Sequence, residues 1–497
     1  MILSKENLHL INKENVAIPQ THTFELPEKV LQFGTGVLLR GLPDYFINKA
    51  NQQGVFNGRV AVVKSTKGDT AEFDSQDSLY TLCIRGLANG KLVEENIISS
   101  AISRVIAADQ NWADILAIAS SKELKIIISN TTEIGIVLVN ESINQNPPSS
   151  FPAKVLAVLY QRFKTFNGSK ESGLVIIATE LIPDNGSKLA SIVLQLAQFN
   201  ELEASFVAWL ATANTFCNSL VDRIVPGKPD AAHLMQLERE LGYTDQLLSI
   251  AEPYRLWAIE GDDKVKEMLQ FANVDAGIVV AKDIEIYREL KVRLLNGTHT
   301  LSAGIAFLLG IDTVKNAMLN GQVKRYIEEL MASEISAAIP YAVTEKQTSD
   351  FSKAVVDRFA NPSIEHLWHN ITFQYTMKMK IRILPLLANH YKVYGNVPDY
   401  MAMGFAAYLQ FMKVDKLANE KYYGSLNGHS YLINDDSAGY FYKQQLKGDA
   451  DYVTSVLSDS DFWKLDLNLM PGFIEAVHEK YNSIQNKGME VTLVNLA

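Results

Sequence analysis

Apolar runs alternate with amphipathic stretches in the first half of the chain. Residues 29–33 form the first apolar run, which leads into a glycine-containing turn and an amphipathic stretch that extends to about residue 51. A second apolar run follows at residues 59–64. This order predicts a strand, a glycine turn, a helix and a second strand, which together form a βαβ unit.

The same alternation continues beyond this unit. β-rich apolar runs occur at residues 79–84, 124–129 and 174–179, and helical patterns lie near residues 110–121 and 152–165. Strands that alternate with helices form parallel sheets, so we predict a Rossmann-like, doubly wound and mainly parallel sheet.

The pattern changes near residue 283. From there to about residue 485 the apolar periodicity is almost entirely helical, with breaks at Pro362, Pro385 and Pro398. A chain of 497 residues also exceeds what one hydrophobic core usually serves.

We therefore predict an α/β protein with two domains. A Rossmann-like domain occupies residues 1–283, and a mostly α-helical domain occupies residues 284–497. No flexible Gly/Ser linker separates them, so we expect a packed interface at the boundary. Such an interface is a common place for a ligand site.

Composition narrows the classes of function. Hydrophobic residues make up 47% of the chain and charged residues 21%, as in an ordinary globular protein. The formal net charge of −10 argues against a general affinity for nucleic acid or anionic membranes. A small anionic substrate remains compatible, because its site needs only a few local cations. The sequence leaves a monomer and a homodimer open.

Cysteine usage and the length of the apolar runs predict a location. Cys83 and Cys217 are the only cysteines, and they lack metal-ligand spacing and form no disulfide framework, as in a reducing compartment. The first 20 residues contain no apolar core of signal-peptide length. The longest apolar stretches, such as residues 301–311, are too short to span a bilayer. We expect a soluble, cytoplasmic protein.

The turn after the first predicted strand indicates a nucleotide site. Glycine at Gly34 and Gly36 lets the backbone approach a pyrophosphate, whose charge is attracted to the N–H groups of the following helix. Leu39 replaces the usual third glycine, and a tight structural turn is the alternative. Arg40 adds a cation for the phosphates, or it is simply a solvated arginine. The predicted cofactor-binding residues here are Gly34, Thr35, Gly36, Val37 and Arg40.

The residues after the second predicted strand leave NAD and NADP open. An acidic residue that binds the NAD ribose is expected about 20 residues after the glycine turn. Lys64-Ser65-Thr66-Lys67 occupies this position, and Asp69 comes only later. The lysines suit a 2′-phosphate, although surface lysines at a strand end are the more common explanation.

Lys291, Asn296 and His299 form a polar stripe near the start of the helical region. At about 100° per residue on an α-helix, Asn296 falls near ~140° and His299 near ~80° from Lys291, so all three share one broad face. In carbonyl reduction a buried lysine donates a proton, a carboxamide holds the developing alkoxide and a histidine orients a hydroxyl. The alternative is an ordinary helix with its polar residues in solvent. Gly297 costs about 1 kcal/mol relative to alanine in a helix, so we expect another group to approach the backbone closely there.

The spacing of this stripe resembles the Lys-x4-Asn-x2-His motif of the polyol-specific long-chain dehydrogenases. This family includes mannitol dehydrogenase and the hexuronate reductases, and the resemblance covers nearly the whole chain. The other matching segments are Gly34-x-Gly36-x3-Arg40, Asn185-Gly186, residues 218–224 (NSLVDRI), residues 358–362 (RFANP) and Lys378 in MKMKIRILP.

The resemblance implies a role for each of these residues. Lys291 is the general acid/base, and Asn185 and Asn296 form the oxyanion hole. His299 and Lys378 position substrate hydroxyls. Hydride passes directly between the nicotinamide and the ketone without a metal, with NAD as the expected cofactor and NADP not excluded.

Three segments resemble the branch of the family that interconverts tagaturonate and altronate. They are residues 75–86 (SQDSLYTLCIRG), 129–133 (SNTTE) and 179–182 (TELI). The branch carries Gly in place of Ser78 and Cys in place of Thr179. We expect a hexuronate or aldonate as the small-molecule partner, with Asn130 and Thr132 at the nicotinamide end of the cofactor and Glu180 at the substrate.

Other functions remain as alternatives. Mannonate (fructuronate) oxidoreduction is the nearest one within the family. A metal-dependent sugar-acid isomerase or epimerase would need several convergent carboxylate and histidine ligands, and a non-catalytic nucleotide-binding module would not depend on Lys291. His366 and His369 have a spacing that a metal could use, but Trp368 between them favours a half-buried structural helix, so no metal site is expected.

Overall fold

The computed structural model of the protein describes residues 1–132, 134–448 and 452–496. The chain divides into two compact units. Unit 1 comprises Met1–Gly86 and Leu92–Ile284, and unit 2 comprises Leu87–Lys91 and Glu285–Ala497.

The structure describes twelve strands in the first 284 residues. They are β1 (Glu28–Phe33), β2 (Arg59–Lys64), β3 (Tyr80–Ala88), β4 (Lys91–Ser99), β5 (Ile102–Ala107), β6 (Ile126–Ser129), β7 (Val175–Ala178), β8 (Thr215–Cys217), β9 (Ser219–Asp222), β10 (Ser249–Ala251), β11 (Leu256–Glu260) and β12 (Ile278–Ala281). Six of them form one parallel sheet in the order β5-β2-β1-β6-β7-β8. This order is that of a Rossmann fold, and it reverses between β1 and β6, where such folds bind dinucleotides. The predicted doubly wound parallel sheet is confirmed.

Both faces of this sheet are buried, which explains why its strands are continuous apolar runs. Alternate residues of each strand contribute to two hydrophobic clusters. Leu31 and Ile127 belong to one cluster, and Val30 and Ile126 belong to the other. Every residue of β6 and β7 is buried. The sheet is therefore the rigid support from which the loops at its strand ends project.

Two strands depart from the sequence prediction. β3 is not part of the main sheet; it lies between β10 and β4 in a three-stranded sheet. β5 takes the edge of the main sheet, although its polar residues Ser103 and Arg104 interrupt the apolar run that would have indicated a strand. A third sheet has the order β12-β11-β9.

The helices of unit 1 connect these strands. They are α1 (Val37–Gly41), α2 (Pro43–Gln52), α3 (Ala71–Asp74), α4 (Trp112–Ala119), α5 (Phe151–Thr165), α6 (Asn185–Phe199), α7 (Ala204–Ala213), α8 (Ala231–Leu241) and α9 (Asp263–Met268), with 3₁₀ turns at Glu6–Leu10, Thr21–Glu25, Lys170–Ser172 and Gln270–Asn273. The single helix predicted after the glycine turn is interrupted at Leu42, which has φ −134° and ψ −76°. Leu42 precedes Pro43, and a residue before proline is disfavoured in the helical conformation.

Unit 2 is mostly helical. Its α-helices are α10 (Glu285–Leu290), α11 (Thr298–Leu308), α12 (Val314–Leu319), α13 (Gly321–Glu329), α14 (Ser336–Ala338), α15 (Glu345–Phe359), α16 (Trp368–Ile371), α17 (Tyr375–Lys378), α18 (Leu384–Tyr394), α19 (Asp399–Phe411), α20 (Ala438–Gln445), α21 (Tyr452–Leu457), α22 (Ser460–Trp463), α23 (Phe473–Lys487) and α24 (Met489–Val494), with a 3₁₀ turn at Leu467–Leu469. Three π-helical segments are inserted, at Lys291–Gly297, Leu330–Ile335 and Met379–Ile383. The first of these contacts the other two.

The sequence prediction for this region is wrong at two places. Residues 416–432 form an antiparallel sheet of β13 (Lys416–Ala418), β14 (Lys421–Leu426) and β15 (His429–Leu432). Asn427 and Gly428 join β14 to β15 with φ +52° and +81°, the conformation that an Asn-Gly hairpin turn requires. Pro385 does not end the helical stretch; it lies in the first turn of α18, directly after the π-helical segment Met379–Ile383.

Among the helices in the described part of the chain, none is both long enough and apolar enough to cross a membrane.

Candidate active site

The glycine turn lies where the strand order of the main sheet reverses. Gly34 follows β1 with φ +128°, a conformation that favours glycine, and a Cβ atom there would lie 2.8 Å from the backbone oxygen of Asn130. A Cβ atom on Gly36 would meet nothing within 4 Å. Gly36 precedes α1 without a side-chain cap, and Thr35 and Val37 beside it are partly exposed. The turn is closely packed at its first glycine and open at its second, so the start of α1 fits a phosphate.

Arg40 is buried beneath this turn. Its Nη1 donates to the carbonyl oxygen of Leu247 at 2.5 Å. Its guanidinium lies 5.9 Å from the centre of the Phe73 ring and 5.4 Å from that of Tyr80. Burial lowers its pKa. With 7% of its surface exposed, Arg40 is not a solvated arginine, and its contact with phosphate stays a prediction.

Side-chain hydrogen bonds join the segments that follow β6 and β7. Asn130 Nδ2 donates to the backbone oxygen of Thr179 at 2.9 Å and to its hydroxyl at 3.0 Å. The Thr179 hydroxyl donates to the carbonyl of Ser129 at 2.6 Å. The Glu180 carboxylate accepts bonds from the Ser129 hydroxyl at 3.1 Å and from the backbone N–H and hydroxyl of Thr131 at 2.9 and 3.0 Å. The two strand ends are therefore tied together by residues of the SNTTE and TELI segments.

The outer part of the SNTTE segment is more open. Thr132 is exposed, and its carbonyl accepts a bond from the N–H of Gly135 at 2.7 Å. Glu133 lies outside the described residues. The contacts expected of Asn130 and Thr132 with a nicotinamide, and of Glu180 with a substrate, stay predictions.

Asn185 is the first residue of α6 and is 1% exposed. Its Nδ2 donates to the carbonyl oxygens of Glu180 at 3.0 Å and of Ser219 at 2.9 Å. Its Oδ1 accepts from the N–H groups of Gly186 and Ser219, both at 2.9 Å. A carboxamide has two N–H donors, and both of them are used inside unit 1. The Gly186 that follows is required for packing, because a Cβ atom there would lie 2.3 Å from the carbonyl carbon of Cys217.

Residues 75–86, the third segment that resembles the hexuronate branch, form a buried polar link within unit 1. Gln76 Nε2 donates to Asp245 Oδ1 at 2.7 Å, and the backbone N–H of Thr81 donates to Asp245 Oδ2 at 2.5 Å. Ser78 has φ +60°, a conformation that favours glycine.

Lys291, Asn296 and His299 lie on one continuous helical stretch that changes type along its length. Lys291 begins the π-helical segment, Asn296 is near its end, and His299 is in the first turn of α11. A π-helix joins residue i to residue i+5, so Asn296 lies one turn from Lys291. The angle of ~140° expected from an α-helix is therefore wrong for this pair, because the wider turn brings the two side chains to neighbouring positions.

The side chain of Asn296 is available for a ligand. Its backbone oxygen accepts bonds from the Thr300 hydroxyl at 2.7 Å and from Arg382 Nη1 at 3.4 Å, whereas its carboxamide has no hydrogen bond to any described residue. Asn296 and Lys291 are both partly exposed. The expectation of a close approach at Gly297 is wrong: the residue is buried, and a Cβ atom there would make ordinary contact at 3.6 Å with Ile383.

His299 is held in place by its ring. It stacks on Phe359 at 4.1 Å between centroids and meets the rings of His366 at 5.1 Å and Trp368 at 5.9 Å edge-on. Its Nε2 is buried and has no hydrogen-bond partner among the described residues. Burial and the nearby cationic groups hold its pKa well below 6.5. The imidazole is therefore neutral, with one nitrogen ready for a hydroxyl of a ligand.

Basic side chains lie near His299 within unit 2. The groups whose charge acts on it are His366, Arg358, Arg382 and Lys378. Lys378 Nζ donates to the carbonyl of Ile371 at 2.8 Å, and burial lowers its pKa to about 8. Lys380 is not part of this group, because its ammonium lies 3.8 Å from the centre of the Phe462 ring. The surroundings of His299 therefore suit an anionic ligand with hydroxyl groups.

Sequence reasoning missed the residues that orient His299. Phe359 belongs to the RFANP segment, which we used only as a mark of resemblance, and it provides the stacking surface. His366 and Trp368 were interpreted as parts of one structural helix. That interpretation is wrong in part, because α16 begins only at Trp368, while His366 precedes it and contacts the His299 ring. A periodicity of apolar residues carries no signal for such a contact.

Within residues 1–132, 134–448 and 452–496, no group of three His, Cys, Asp or Glu side chains is arranged to hold a metal ion. Cys83 and Cys217 are free and buried, and burial raises the pKa of the Cys83 thiol to about 11.

Comparison with known families agrees with this geometry. Residues 28–272 match the mannitol dehydrogenase Rossmann domain, and residues 283–485 match the mannitol dehydrogenase C-terminal domain. The chain belongs to the mannitol dehydrogenase family. This confirms the family predicted from Lys291, Asn296 and His299.

Within the family, the chain is similar to curated altronate oxidoreductases over most of its length. It is 37% identical to that of Bacillus subtilis (strain 168), over 95% of this chain and 96% of the relative. It is 35% identical to that of Halalkalibacterium halodurans, over 94% of this chain and 92% of the relative. It is 34% identical to that of Yersinia pestis, over 94% of this chain and 96% of the relative.

Two solved structures share the fold. Mannitol 2-dehydrogenase of Pseudomonas fluorescens, solved as a ternary complex with NAD and D-mannitol, matches with a TM-score of 0.67 and 22% identity, over 100% of this chain and 99% of that one. D-sorbitol dehydrogenase in substrate-free form matches with a TM-score of 0.80 and 19% identity, over 99% of this chain and 100% of that one.

Proposed function

We propose that the protein is an NAD-linked oxidoreductase that reduces the hexuronate tagaturonate to altronate and catalyses the reverse oxidation. The similarity to altronate oxidoreductases, at 34–37% identity for the relatives above, supports this substrate. The structural observation that carries the proposal is the buried Nε2 of a neutral His299, which has no hydrogen-bond partner among the described residues and lies near basic groups. An anionic polyol offers a hydroxyl for this nitrogen and a negative charge for the basic side chains nearby.

In this proposal, residues 1–283 bind the cofactor, and residues 284–497 provide the acid/base and substrate groups. The open start of α1 at Gly36 and Val37 fits the pyrophosphate, with Gly34 and Thr35 in the same turn. Asn130 and Thr132 lie at the carboxyl end of β6, beside the point where the strand order reverses, and we assign them to the nicotinamide end. When bound, the nicotinamide cofactor supplies the hydride for reduction and accepts it in oxidation.

The side chains of unit 2 then serve the reacting carbonyl group. The ammonium of Lys291 donates a proton to the oxygen that becomes the alcohol, and neutral Lys291 takes that proton back in oxidation. The carboxamide of Asn296, one π-turn away, donates a hydrogen bond to the same oxygen. His299 and Lys378 bind substrate hydroxyls. Since both N–H groups of Asn185 are used inside unit 1, we assign that residue to ordering the strand ends instead of to the oxyanion hole.

The choice of NAD and the cytoplasmic location are also parts of the proposal. Lys64, at the end of β2, donates to the carbonyl oxygens of Thr66 and Lys67 at 3.3 and 3.0 Å. Its ammonium is thus used by its own loop, which favours NAD over a cofactor with a 2′-phosphate. The two buried thiols agree with a reducing compartment.

A side-by-side rate measurement tests the function. The purified protein is given tagaturonate or fructuronate, each with NADH or NADPH, and with or without EDTA. We expect the highest kcat/KM with tagaturonate and NADH, unchanged by EDTA. A much faster reduction of fructuronate would contradict the substrate, and loss of activity in EDTA would favour a metal-dependent reaction.

A further inference from the structure

Arg382 differs from the neighbouring Arg293 because no carboxylate of a described residue forms an ion pair with it. Arg293, in the neighbouring π-helical segment, pairs with Glu289 through Nε at 2.9 Å and Nη2 at 3.2 Å. Arg382, within Met379–Ile383, has no ion pair with any described residue, and burial is the cause that lowers its pKa to about 10. A partly buried cation without a counter-ion is costly, so its position indicates that an anion binds there.

The orientation of Arg382 leaves one edge of its guanidinium open. Nη1 donates to the Thr300 hydroxyl at 3.1 Å and to the carbonyl oxygen of Asn296 at 3.4 Å. The Thr300 hydroxyl in turn donates to the same carbonyl at 2.7 Å. Nε and Nη2 have no hydrogen bond to the described residues, and they are not among the polar atoms sealed from solvent. Two parallel N–H groups of this kind match the two oxygens of a carboxylate.

The cations that precede Arg382 in the chain, Lys378 and Lys380, are less suited to this role. The ammonium of Lys380 lies over the rings of Phe462 and Trp463, at 3.8 and 5.9 Å from their centres. Lys378 is a point charge that already donates to the carbonyl of Ile371. Arg382 is thus the cation of the Met379–Ile383 segment with a free bidentate edge, and it is fixed to the same residue, Asn296, that we assign to the reacting oxygen.

We propose that Arg382 binds the carboxylate of the substrate and makes the site selective for sugar acids over neutral sugars. The inference rests on the proposed function and adds the residue that distinguishes a hexuronate from a neutral ketose. The anchoring of Nη1 on the Asn296 carbonyl fixes the distance between the carboxylate and the reacting carbonyl. Selectivity then follows from geometry, because a neutral hydroxymethyl group leaves the charged edge without its partner.

The test compares two substrates that differ at one group. The kcat/KM with NADH is measured for tagaturonate and for the neutral ketohexose that carries a hydroxymethyl group in place of the carboxylate. The variants are Arg382→Gln, Arg382→Lys and, as the matched control, Lys380→Gln. Thermal unfolding and the Kd for NADH are measured for each variant to establish that it is folded.

We expect Arg382→Gln to lower the ratio of acid to neutral kcat/KM by about ten- to a hundredfold, the effect of one charged hydrogen-bonded contact. The loss should lie mainly in KM for the acid. Arg382→Lys should keep part of the ratio, and Lys380→Gln should leave it unchanged. An Arg382→Gln protein that is folded and keeps the wild-type ratio would overturn the inference while the proposed function stands. A wild-type protein that reduces no hexuronate would instead overturn the proposed function.

Discussion

Asn185 and Asn296, which the family resemblance assigns to the same oxyanion hole, have opposite surroundings. The carboxamide of Asn185 is almost completely buried and makes four hydrogen bonds to backbone groups of unit 1. The carboxamide of Asn296 is partly exposed and has no hydrogen bond to the described residues. A buried amide whose hydrogen-bonding groups all have partners contributes to stability. An exposed amide without such partners contributes instead to ligand binding and catalysis. The residue type alone does not distinguish these roles.

Replacing each asparagine with alanine should therefore separate stability from activity. We expect Asn185→Ala to lower the free energy of unfolding by about 2–4 kcal/mol, because the N–H and carbonyl of Ser219 lose their partners in a buried place. Asn296→Ala, the matched control, should change the free energy of unfolding by less than about 0.5 kcal/mol and lower kcat about 10²–10³-fold. Urea unfolding and steady-state rates measure the two effects. A stable Asn185→Ala protein with a low kcat would show that this amide acts on the substrate instead.

At the scale of elements, β1 and α2 enclose a carboxyl group under the glycine turn. Asp44 is 0% exposed, and its Oδ2 accepts a bond from Gln32 Nε2 at 3.2 Å. Its Oδ1 is buried without a partner in the described part of the chain. Desolvation raises the pKa of this carboxyl to about 7. The native protein therefore keeps a proton there that the unfolded chain releases near its ordinary pKa of 3.8.

This difference predicts how stability depends on pH. Between the two pKa values the native state binds more protons than the unfolded state, so Asp44 makes the protein less stable as pH rises from about 4 to about 7, with no further change above. Asn at this position keeps the acceptor for Gln32 but does not titrate. We expect Asp44→Asn to gain stability relative to wild type as pH rises over this window, by up to about 4 kcal/mol. Stability curves of the two proteins that stay parallel from pH 4 to pH 8 would contradict the assignment.

Sequence patterns predicted the elements that are bounded by clear changes in polarity. β1, β2, β6 and β7 are apolar runs that end at a glycine or polar residue, and all four were found close to the predicted positions. β5 was missed because Ser103 and Arg104 interrupt its run. The β14–β15 hairpin was missed although Asn427-Gly428 is a strong hairpin signal.

The candidate site also contains features that sequence patterns predict and features that they do not. The Lys291, Asn296 and His299 motif could be found because its spacing is local. The π-helical turn between Lys291 and Asn296 could not, since the prediction assumed the regular turn of an α-helix. The stacking of Phe359 on His299 and the anchoring of Arg382 on Asn296 join residues far apart in the chain. Such contacts depend on tertiary packing, which a single sequence does not specify.

At the scale of the whole molecule, charge is distributed unevenly between the surface and the candidate site. The chain has a formal net charge of −10, yet the charged groups that act on His299 are basic. A few local cations at one place are sufficient to bind a small anion. The net negative charge therefore argues against general binding of polyanions, whereas the basic groups near His299 suit a small anion.

The central claim is that Lys291 provides the proton for ketone reduction, and single-turnover kinetics of a Lys291→Ala variant test it most directly. The variant is mixed with NADH and tagaturonate, and the loss of NADH absorbance is followed beside the wild type. We expect NADH to bind with an unchanged Kd and the rate to fall about 10²–10⁴-fold, the usual contribution of a general acid. A variant that oxidises NADH with tagaturonate at the wild-type rate would contradict the account.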